Sequence, residues 1–266
     1  MLNELEILMN ELTDVSLSIV TYNDLEKVKN AVKTLTEFSD SVNLKIYLID
    51  NGSSDGTVEY VKEHYPTVCV IENGRNVGFG KAHNKVIKKI NSKYHIVCNP
   101  DIIIDRDVIG ELCEFMENDP SVAMVTPKIM SADGTEQHLQ KRRPRFKYLL
   151  SGRLPFLRKL REEYTRQNEN LTEPTEIEFS TGCFFVIRTD VFKMLSGFDD
   201  RFFMYFEDAD ISDRVRAFGK LIFYPKTYVI HLWERSSSKN IKYLLIHICS
   251  MFKYFLKRKP YLKHKK

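Results

Sequence analysis

The segment Ser16-Leu-Ser-Ile-Val-Thr-Tyr22 begins a pattern that organises the N-terminal half of the chain. Its β-branched and apolar residues are typical of a buried strand, and Asn23 and Asp24 then cap a helix that extends to about Phe38. The alternation continues through strands at 45–50, 68–71, 95–98 and 122–126 and helices at 57–64, 79–90 and 108–116. Strands that alternate with helices predict an α/β fold with a mostly parallel, Rossmann-like sheet flanked by helices.

Length and composition are those of an ordinary globular protein: the chain has 266 residues, of which 43% are hydrophobic, 12% aromatic and 29% charged. This is enough for one large α/β domain or two small ones. No apolar run approaches the roughly 20 residues that span a membrane. The N-terminus carries acids where a secretory signal has basic residues. The sequence therefore predicts a cytoplasmic protein.

Polar residues follow three successive strands of the predicted sheet. The second strand ends in Asp50-Asn-Gly-Ser-Ser-Asp55, the third runs into Arg75-Asn-Val-Gly-Phe-Gly80, and the fourth ends in Asn99-Pro-Asp101. Each set has a plain alternative explanation, because Asp, Asn and Gly form turns. Ligands of open α/β sheets, however, bind outside the carboxyl ends of the strands. Three such ends in a row therefore predict a binding site at this edge.

A second cluster of acids follows the aromatic segment that begins at Gly197. Glu207, Asp208, Asp210 and Asp213 continue at helical spacing until Gly219. A helix N-terminus favours negative charge, so we expect Glu207 and Asp208 to stay ionised and ready to accept a proton or bind a cation. A surface helix with an acidic first turn is the alternative.

Two basic segments interrupt or follow the α/β pattern. Residues 138–178 combine arginines and lysines with apolar residues, which we interpret as a mobile insertion with one helix. After Glu234 the chain has no acid, and residues 239–258 form a basic amphipathic helix. Such a helix is typical of a membrane surface; the alternative is a helix that docks on the domain and leaves its lysines in solvent. Residues 1–14 are interpreted as a helical extension.

These motifs, in this order, resemble family 2 inverting glycosyltransferases of the GT-A fold, which bind nucleotide-diphospho-sugars, and in particular the bacterial rhamnosyltransferases that extend lipid-linked polysaccharide precursors. The matching segments are Ser18-Ile-Val-Thr-Tyr-Asn23, Asp50-Asn-Gly-Ser-Ser-Asp-Gly-Thr57, Asn76-Val-Gly-Phe-Gly80 with Ala82 and Asn84, Asn99-Pro-Asp101, Gly182-Cys-Phe-Phe185, Gly197-Phe-Asp199, Phe203-Met-Tyr-Phe-Glu-Asp208 and His231. The resemblance implies a glycosyltransferase domain over 15–238. It divides into a donor half at 15–130, the basic insertion, and an acceptor and catalytic half at 179–238, followed by a membrane-association segment at 239–266.

The resemblance also implies roles for individual residues. The expected donor-binding residues are Thr21, Asn23, Asp50, Asp55, Asn76, Gly78, Gly80, Asn84 and Asn99. Asp208 matches the catalytic base, and Glu207 beside it is expected to hydrogen-bond the acceptor. Asp210 and Arg214 are better explained as an ion pair at i and i+4.

A divalent cation, Mg²⁺ or Mn²⁺, is implied as the cofactor, because charge builds on the leaving diphosphate as the sugar departs. Asp101 supplies a hard oxygen ligand for it. The chain departs from the Asp-x-Asp form of many relatives, since Asn99 replaces the first acid. The resemblance implies that His231 serves as the second ligand.

The implied reaction is transfer of L-rhamnose from dTDP-rhamnose to a lipid-linked saccharide, by an enzyme bound peripherally to the inner face of the cell membrane. A UDP-hexose donor stays open, as does a homodimer, and no nucleic-acid partner is expected. A sugar-phosphate nucleotidylyltransferase would need a Gly-rich basic loop directly after the first strand, where this chain has Thr21-Tyr-Asn-Asp24. A non-catalytic basic protein that binds lipid or nucleic acid would leave the acids at the strand ends without a role.

Overall fold

The computed structural model describes residues 13–151, 157–232 and 241–257 of the chain. Its strands are β1 (Thr13–Thr21), β2 (Val42–Asp50), β3 (Cys69–Glu72), β4 (Tyr94–Cys98), β5 (Ile102–Ile103), β6 (Val122–Met130), β7 (Thr175–Glu176), β8 (Phe184–Arg188) and β9 (Lys220–His231). Its helices are α1 (Leu25–Glu37), α2 (Thr57–His64), α3 (Phe79–His83) with a 3₁₀ turn at Asn84–Val86, α4 (Val108–Asn118), α5 (Phe146–Ser151), α6 (Arg158–Thr165), α7 (Thr189–Met194), α8 (Glu207–Val215) and α9 (Ile241–Lys257).

The strands form one sheet in the order β3-β2-β1-β4-β8-β6-β9-β5, with β7 paired to β9. The ladders among β1, β2, β3 and β4 are parallel, as predicted, and so is the β6–β9 ladder. Strand β8, by contrast, runs antiparallel to both β4 and β6, and β5 and β7 run antiparallel to β9. The longer ladders of the sheet are therefore parallel, as predicted, and short antiparallel pairs are added because β8 is reached through the insertion instead of a helical crossover.

Apolar side chains cover the sheet on both faces, which is why the strands near its centre are apolar in both alternating positions. On one face, Leu17 and Ile19 of β1 pack with α4 residues such as Leu112, all fully buried. On the other face, Phe185 of β8 belongs to a cluster that includes Ile211 of α8. Burial of that side of α8 places its acidic first turn at the edge of the sheet.

Several predicted boundaries need correction. The helix expected over 79–90 ends as α3 and tightens into the 3₁₀ turn, where the Asn84 side chain bonds the backbone of Phe198. The strand expected over 175–188 is split into β7 and β8. Strand β1 begins at Thr13, before the predicted boundary, and the rest of the N-terminal extension lies outside the described residues.

The insertion contains two helices, α5 and α6, where one was expected. Its basic residues are not simply solvated: Arg143 pairs with Asp213 of α8 at 2.6 Å, and both side chains are largely buried. The C-terminal helix α9 also packs on the domain, with Ser250 and Tyr254 buried. Within the described ranges, no helix is both long enough and apolar enough to cross a membrane.

Candidate active site

The loop after β2 is held together by its own acids. The Asp50 carboxylate, which is buried, accepts hydrogen bonds from the backbone N–H groups of Gly52 and Ser53 at 2.9 and 3.1 Å. Asn23 adopts a φ of 55° after β1, and its side-chain oxygen accepts from the Ser54 N–H at 2.8 Å. These bonds fix the two loops side by side at the carboxyl ends of β1 and β2.

Asp55 and Thr21 complete this corner. Asp55 accepts from the Leu25 N–H at 2.9 Å and from the Thr57 hydroxyl at 2.6 Å. Burial works to raise the pKa of Asp55, but the hydrogen bonds from Thr57 and Leu25 outweigh it and lower that pKa. Thr21 is buried, its carbonyl accepts from the Asn51 N–H at 2.9 Å, and its hydroxyl has no hydrogen-bond partner among the described residues. The contacts described for the Asp50 and Asp55 carboxylates are with the backbone and side chains of this corner itself. Binding of a nucleoside here stays a prediction.

The start of α3 and the loop before it leave no room for side chains at two glycines, Gly78 and Gly80. Gly78 has a φ of +94°, and a Cβ there would lie 2.3 Å from the carbonyl oxygen of Phe203. A Cβ at Gly80 would lie 2.7 Å from the Cβ of Phe198. Asn76 stabilises the turn, because its side-chain oxygen accepts from the Gly78 N–H at 3.0 Å. The loop is therefore packed directly against the segment that leads into α8.

Asn84 serves this same packing. Its side-chain amide donates to the Phe198 carbonyl at 2.8 Å and to Asp200 at 2.7 Å, and its oxygen accepts from the Phe198 N–H at 2.8 Å. It lines a cavity of about 1150 Å³ beside the C-terminal half of α8, and the other predicted donor residues are not among the cavity's described lining. These contacts give Asn84 a structural role, and its predicted donor contact has no support from them.

Pairing of β5 with β9 brings together the two predicted metal ligands. Ile102 lies opposite His231 in this ladder, and Asp101 directly precedes Ile102. The Asp101 carboxylate oxygen Oδ1 lies 3.2 Å from the Nε2 of His231, and the Nδ1 of His231 lies 3.0 Å from the side-chain oxygen of Gln137. Burial works to raise the pKa of Asp101, but His231 and the charge of Lys27 leave it below its usual value.

This pair suits a cation that shares its ligands with a substrate. Among residues 13–151, 157–232 and 241–257, no group of three or more His, Cys, Asp or Glu side chains is placed to hold a metal ion. Mg²⁺ commonly binds through one or two protein ligands and takes its remaining oxygens from water and substrate phosphates. One carboxylate and one imidazole at the mouth of the sheet fit that pattern.

The two acids predicted to be catalytic, Glu207 and Asp208, lie at the start of α8, after a strained turn. Tyr205 and Phe206 have φ values of 69° and 67°, which bulky residues rarely adopt. Such strain is concentrated at functional sites, where the surrounding structure holds it. Here the Phe79 N–H donates to the Phe203 carbonyl at 2.9 Å and anchors the turn. The strained turn sets the direction of the backbone as it enters α8 at Glu207 and Asp208.

Asp208 is held by backbone donors. Its Oδ1 accepts from the Ala209 N–H at 2.8 Å and its Oδ2 from the Gly182 N–H at 3.3 Å. A Cβ at Gly182 would lie 3.3 Å from the ring of Phe79 and 3.4 Å from the Cβ of Asp208. Gly182 thus sits directly against the predicted base and the ring of Phe79.

Burial changes the ionisation of the two acids. It raises the pKa of Glu207 well above its usual value, and the charge of Asp208 adds to this increase. Burial also raises the pKa of Asp208, but the N–H groups of Ala209 and Gly182 and the charge of Lys141 oppose the increase. Of the pair, Asp208 is therefore the acid that ionises more readily, and Glu207 holds its proton more tightly. The shift of Glu207 runs against the expectation that both stay ionised, because loss of water outweighs the field of the helix N-terminus.

Two residues of the insertion, Lys141 and Tyr164, lie close enough to Asp208 to interact with its charge, and no pattern in the sequence predicted this. The positive charge of Lys141 acts on Asp208, and the negative charge of Asp208 contributes, after burial, to a raised pKa of Tyr164. The Lys141 ammonium lies 5.8 Å from the centre of the Tyr164 ring. A lysine within a basic run carries no signal of its own, and only the fold of the insertion reveals its neighbour.

Asp101 and Asp208 lie on either side of one short segment, residues 182–183. The Asn99 N–H donates to the Cys183 carbonyl at 2.8 Å, and the adjacent Gly182 binds Asp208. Burial raises the pKa of the Cys183 thiol to about 12, and the charges of both Asp101 and Asp208 contribute to this shift. The predicted metal ligands and the predicted base are therefore neighbours, separated by the turn at 182–183.

The chain has the fold of the GT-A glycosyltransferases, and in it the predicted metal ligands and the predicted base are neighbours. The sequence model of the glycosyl transferase family 2 matches residues 16–195, and the chain belongs to that family. The matched region ends before Asp208 and His231, so these two residues rest on the geometry.

Curated relatives include rhamnosyltransferases. The chain is 29% identical to the N-acetylglucosaminyl-diphospho-decaprenol L-rhamnosyltransferase of Mycobacterium tuberculosis, over 83% of this chain and 76% of that protein. It is 24% identical to the rhamnosyltransferase WbbL of Escherichia coli, over 92% of this chain and 94% of that protein. Both matches extend across most of each chain.

Solved structures share the fold at low sequence identity. GalNAc-T7 with UDP, GalNAc and Mn²⁺ gives a TM-score of 0.65 at 20% identity, over 87% of this chain and 45% of that one. The mannosyltransferase PcManGT of Pyrobaculum calidifontis, with GDP-Man and Mn²⁺, also gives 0.65, at 15% identity and over 95% of this chain and 65% of that one. This chain therefore spans less than two thirds of either structure.

Proposed function

We propose that this glycosyltransferase transfers L-rhamnose from dTDP-rhamnose to a hydroxyl of a lipid-linked saccharide, with inversion, in the synthesis of a cell-surface polysaccharide. The choice of sugar and acceptor class is supported by the relatives, one named for rhamnosyl transfer to a diphospho-decaprenol-linked N-acetylglucosamine. The observation that carries the reaction type is Asp208, a half-buried carboxylate bound by Gly182 beside the Asp101–His231 pair.

In this mechanism Asp208 accepts the proton of the acceptor hydroxyl while the hydroxyl oxygen attacks the anomeric carbon. Its two backbone N–H partners hold one carboxylate orientation, so the base approaches the sugar from a single side. A single base on the face opposite the leaving nucleotide gives inversion. Glu207, in its protonated state, adds no second negative charge beside the attacking oxygen.

Asp101 and His231 are the residues that would hold a divalent cation, Mg²⁺ or Mn²⁺. When bound, such an ion would neutralise charge on the leaving diphosphate. Gln137 orients the imidazole through its Nδ1, as outer partners of metal-binding histidines commonly do.

The acceptor class also implies where in the cell the enzyme acts. A saccharide linked to a polyprenyl diphosphate carries its anionic head at the membrane surface. We therefore place the enzyme on the cytoplasmic side, bound peripherally to the inner face of the membrane through its basic C-terminal segment.

A UDP-hexose donor is the second candidate, since the related fold of GalNAc-T7 binds UDP. Thermal unfolding with Mn²⁺ and either dTDP-rhamnose or UDP-hexoses distinguishes them, because a ligand that binds only the folded state raises the melting temperature. We expect dTDP-rhamnose alone to stabilise the protein and to be consumed with a polyprenyl-diphosphate N-acetylglucosamine acceptor. Stabilisation by UDP-sugars without any by dTDP-rhamnose would overturn the assignment of the donor.

A further inference from the structure

Helix α9 exposes a row of large apolar side chains. Ile241, Leu245, Phe252 and Leu256 are 75%, 58%, 54% and 73% exposed. Their spacing of four, seven and four residues places them on one side of the helix. Phe146 of α5, which is 60% exposed, stacks on Phe255 with 4.0 Å between ring centres and extends the same surface. These five exposed residues, Ile241, Leu245, Phe252, Leu256 and Phe146, are called the apolar strip below.

The opposite side of α9 is docked on the domain by an apolar cluster, in which Tyr254 packs with Phe202 and Phe206, and by polar contacts. The Ser250 hydroxyl donates to the Met204 carbonyl at 2.7 Å, and the Tyr254 hydroxyl donates to Asp213 at 2.7 Å. Lys257 pairs with Asp210 of α8 at 2.6 Å, and both side chains are largely buried. The helix is therefore fixed with the apolar strip outward, although other apolar residues of α9, Met251 and Phe255, pack against the domain.

The charge around the strip points to an anionic partner. From residue 235 to the C-terminus the sequence has no acid and ten cations: Arg235, Lys239, Lys242, Lys253, Lys257, Arg258, Lys259, Lys263, Lys265 and Lys266. A second copy of the chain docked strip to strip would bring two such segments together, and like charges repel. Anionic lipids attract them instead, and an apolar side with basic flanks is the pattern of a helix that lies in a bilayer interface.

We propose that the apolar strip is a bilayer-docking surface, which inserts into the interface of an anionic membrane while the polar side of α9 holds the catalytic helix α8. This deepens the proposed function by naming the partner surface, and it rests on that function only for the presence of a lipid-linked acceptor. Because Tyr254 and Lys257 contact α8, a membrane that binds α9 also sets the orientation of the helix that carries Asp208 in its first turn.

The test uses the full-length chain and flotation with two kinds of vesicle, phosphatidylcholine alone and phosphatidylcholine mixed with phosphatidylglycerol. The variant Leu245→Ser/Phe252→Ser changes only exposed residues of the strip and leaves the docked residues in place. Phe38→Ser, at a residue that is 37% exposed at the end of α1, is the matched control. We expect binding to the anionic vesicles, a loss of about ten-fold or more in the double variant, and no change in the control.

Other outcomes contradict the proposal. Equal flotation of the unaltered protein with neutral and anionic vesicles would overturn it, as would flotation with neither, and both results are independent of how the variants fold. Unchanged binding of a folded double variant would also overturn it. A concentration-dependent dimer that the double variant dissociates, without vesicle binding, would assign the strip to a second copy. Stabilisation by dTDP-rhamnose is measured in parallel, so that failure of the proposed donor is seen separately from failure of lipid binding.

Discussion

The Nε2 of His231 lies 3.2 Å from the Oδ1 of Asp101, although the two residues are 130 positions apart in the sequence, because β5 pairs with the last residues of β9. Both side chains are largely shielded from solvent, at 8% and 12% exposure. The aspartate alone would be an isolated buried charge, whereas the imidazole offers it a partner or shares a cation with it. The replacement of the first acid by Asn99 is thus accompanied by a histidine within contact distance.

Replacing His231 with Ala should weaken the response to metal. We expect the Mn²⁺ concentration for half-maximal transfer to rise by about ten-fold or more, because one of two protein ligands is lost. The measurement is a Mn²⁺ titration of transfer rate, with His64→Ala, an exposed histidine, as the control. An unchanged titration curve would remove His231 from the site.

Replacing Asp208 with Asn should abolish transfer and leave donor binding nearly intact. The amide keeps the shape of the carboxylate but cannot accept the acceptor proton, so kcat should fall by at least about 10²-fold. Glu207→Gln is the matched variant, since an amide resembles the protonated acid, and it should retain most of the activity. The reverse result, an active Asp208→Asn with an inactive Glu207→Gln, would assign the base to Glu207.

Replacing Lys141 with Met should move the pH dependence of the reaction. The lysine charge lowers the pKa of Asp208, so its removal raises that pKa, and the base is then protonated at a higher pH. We expect the acid limb of kcat/KM to shift upward by about 1 pH unit. Lys147→Met, which changes a lysine of the same insertion that pairs with Glu163, should leave the limb in place. An unmoved limb in Lys141→Met would show that this lysine does not act on the base.

Because two histidines are buried, we expect the free energy of unfolding to decrease in acid. His83 and His95 both bond Ser18, at 2.8 and 3.0 Å, and burial lowers the pKa of His95 to about 3 and that of His83 well below its usual value. A histidine in the unfolded chain titrates near about 6.5, so the unfolded state takes up protons first as the pH falls. Stability is therefore full above about pH 6.5 and decreases below it, by up to about 1.4 kcal/mol per pH unit for each histidine.

Urea unfolding at pH 7.5 and at pH 5 checks this expectation. His95→Gln should lower the free energy of unfolding at the higher pH, because the bonds to Ser16 and Ser18 change, but it should reduce the difference between the two pH values. The exposed His64→Gln should keep the full difference. An equal difference in His95→Gln would show that this histidine does not cause the acid sensitivity.

The strand-end pattern predicted much of the site, because parallel strands bring their ends together whatever lies between them. Asp50 is the last residue of β2, and helix α2 has the predicted bounds, Thr57–His64. The Asp210–Arg214 ion pair is confirmed at 2.7 Å. Two features could not be predicted from the sequence. The raised pKa of Glu207 depends on its burial, and the position of Lys141 beside Asp208 depends on the path of the insertion.

The orientation of α9 shows the same limit. Periodicity identified its apolar and basic sides, but a pattern does not say which side meets the protein. The structure buries Lys257 against two acids, Asp199 and Asp210, and leaves Leu256 in solvent. Specific polar partners at fixed positions on α8 and on the loop before it determine the docked side, and those partners are distant in sequence.

The contacts of Tyr254 and Lys257 with α8 have a practical consequence for anyone who expresses this enzyme. Its apolar and cationic C-terminal segment is an obvious target for truncation to improve yield. A protein truncated before α9 would lose two contacts with α8, that of Lys257 with Asp210 and that of the Tyr254 hydroxyl with Asp213. Serine replacements at Leu245 and Phe252, or purification with a mild detergent, would improve solubility and keep the contacts between α9 and α8.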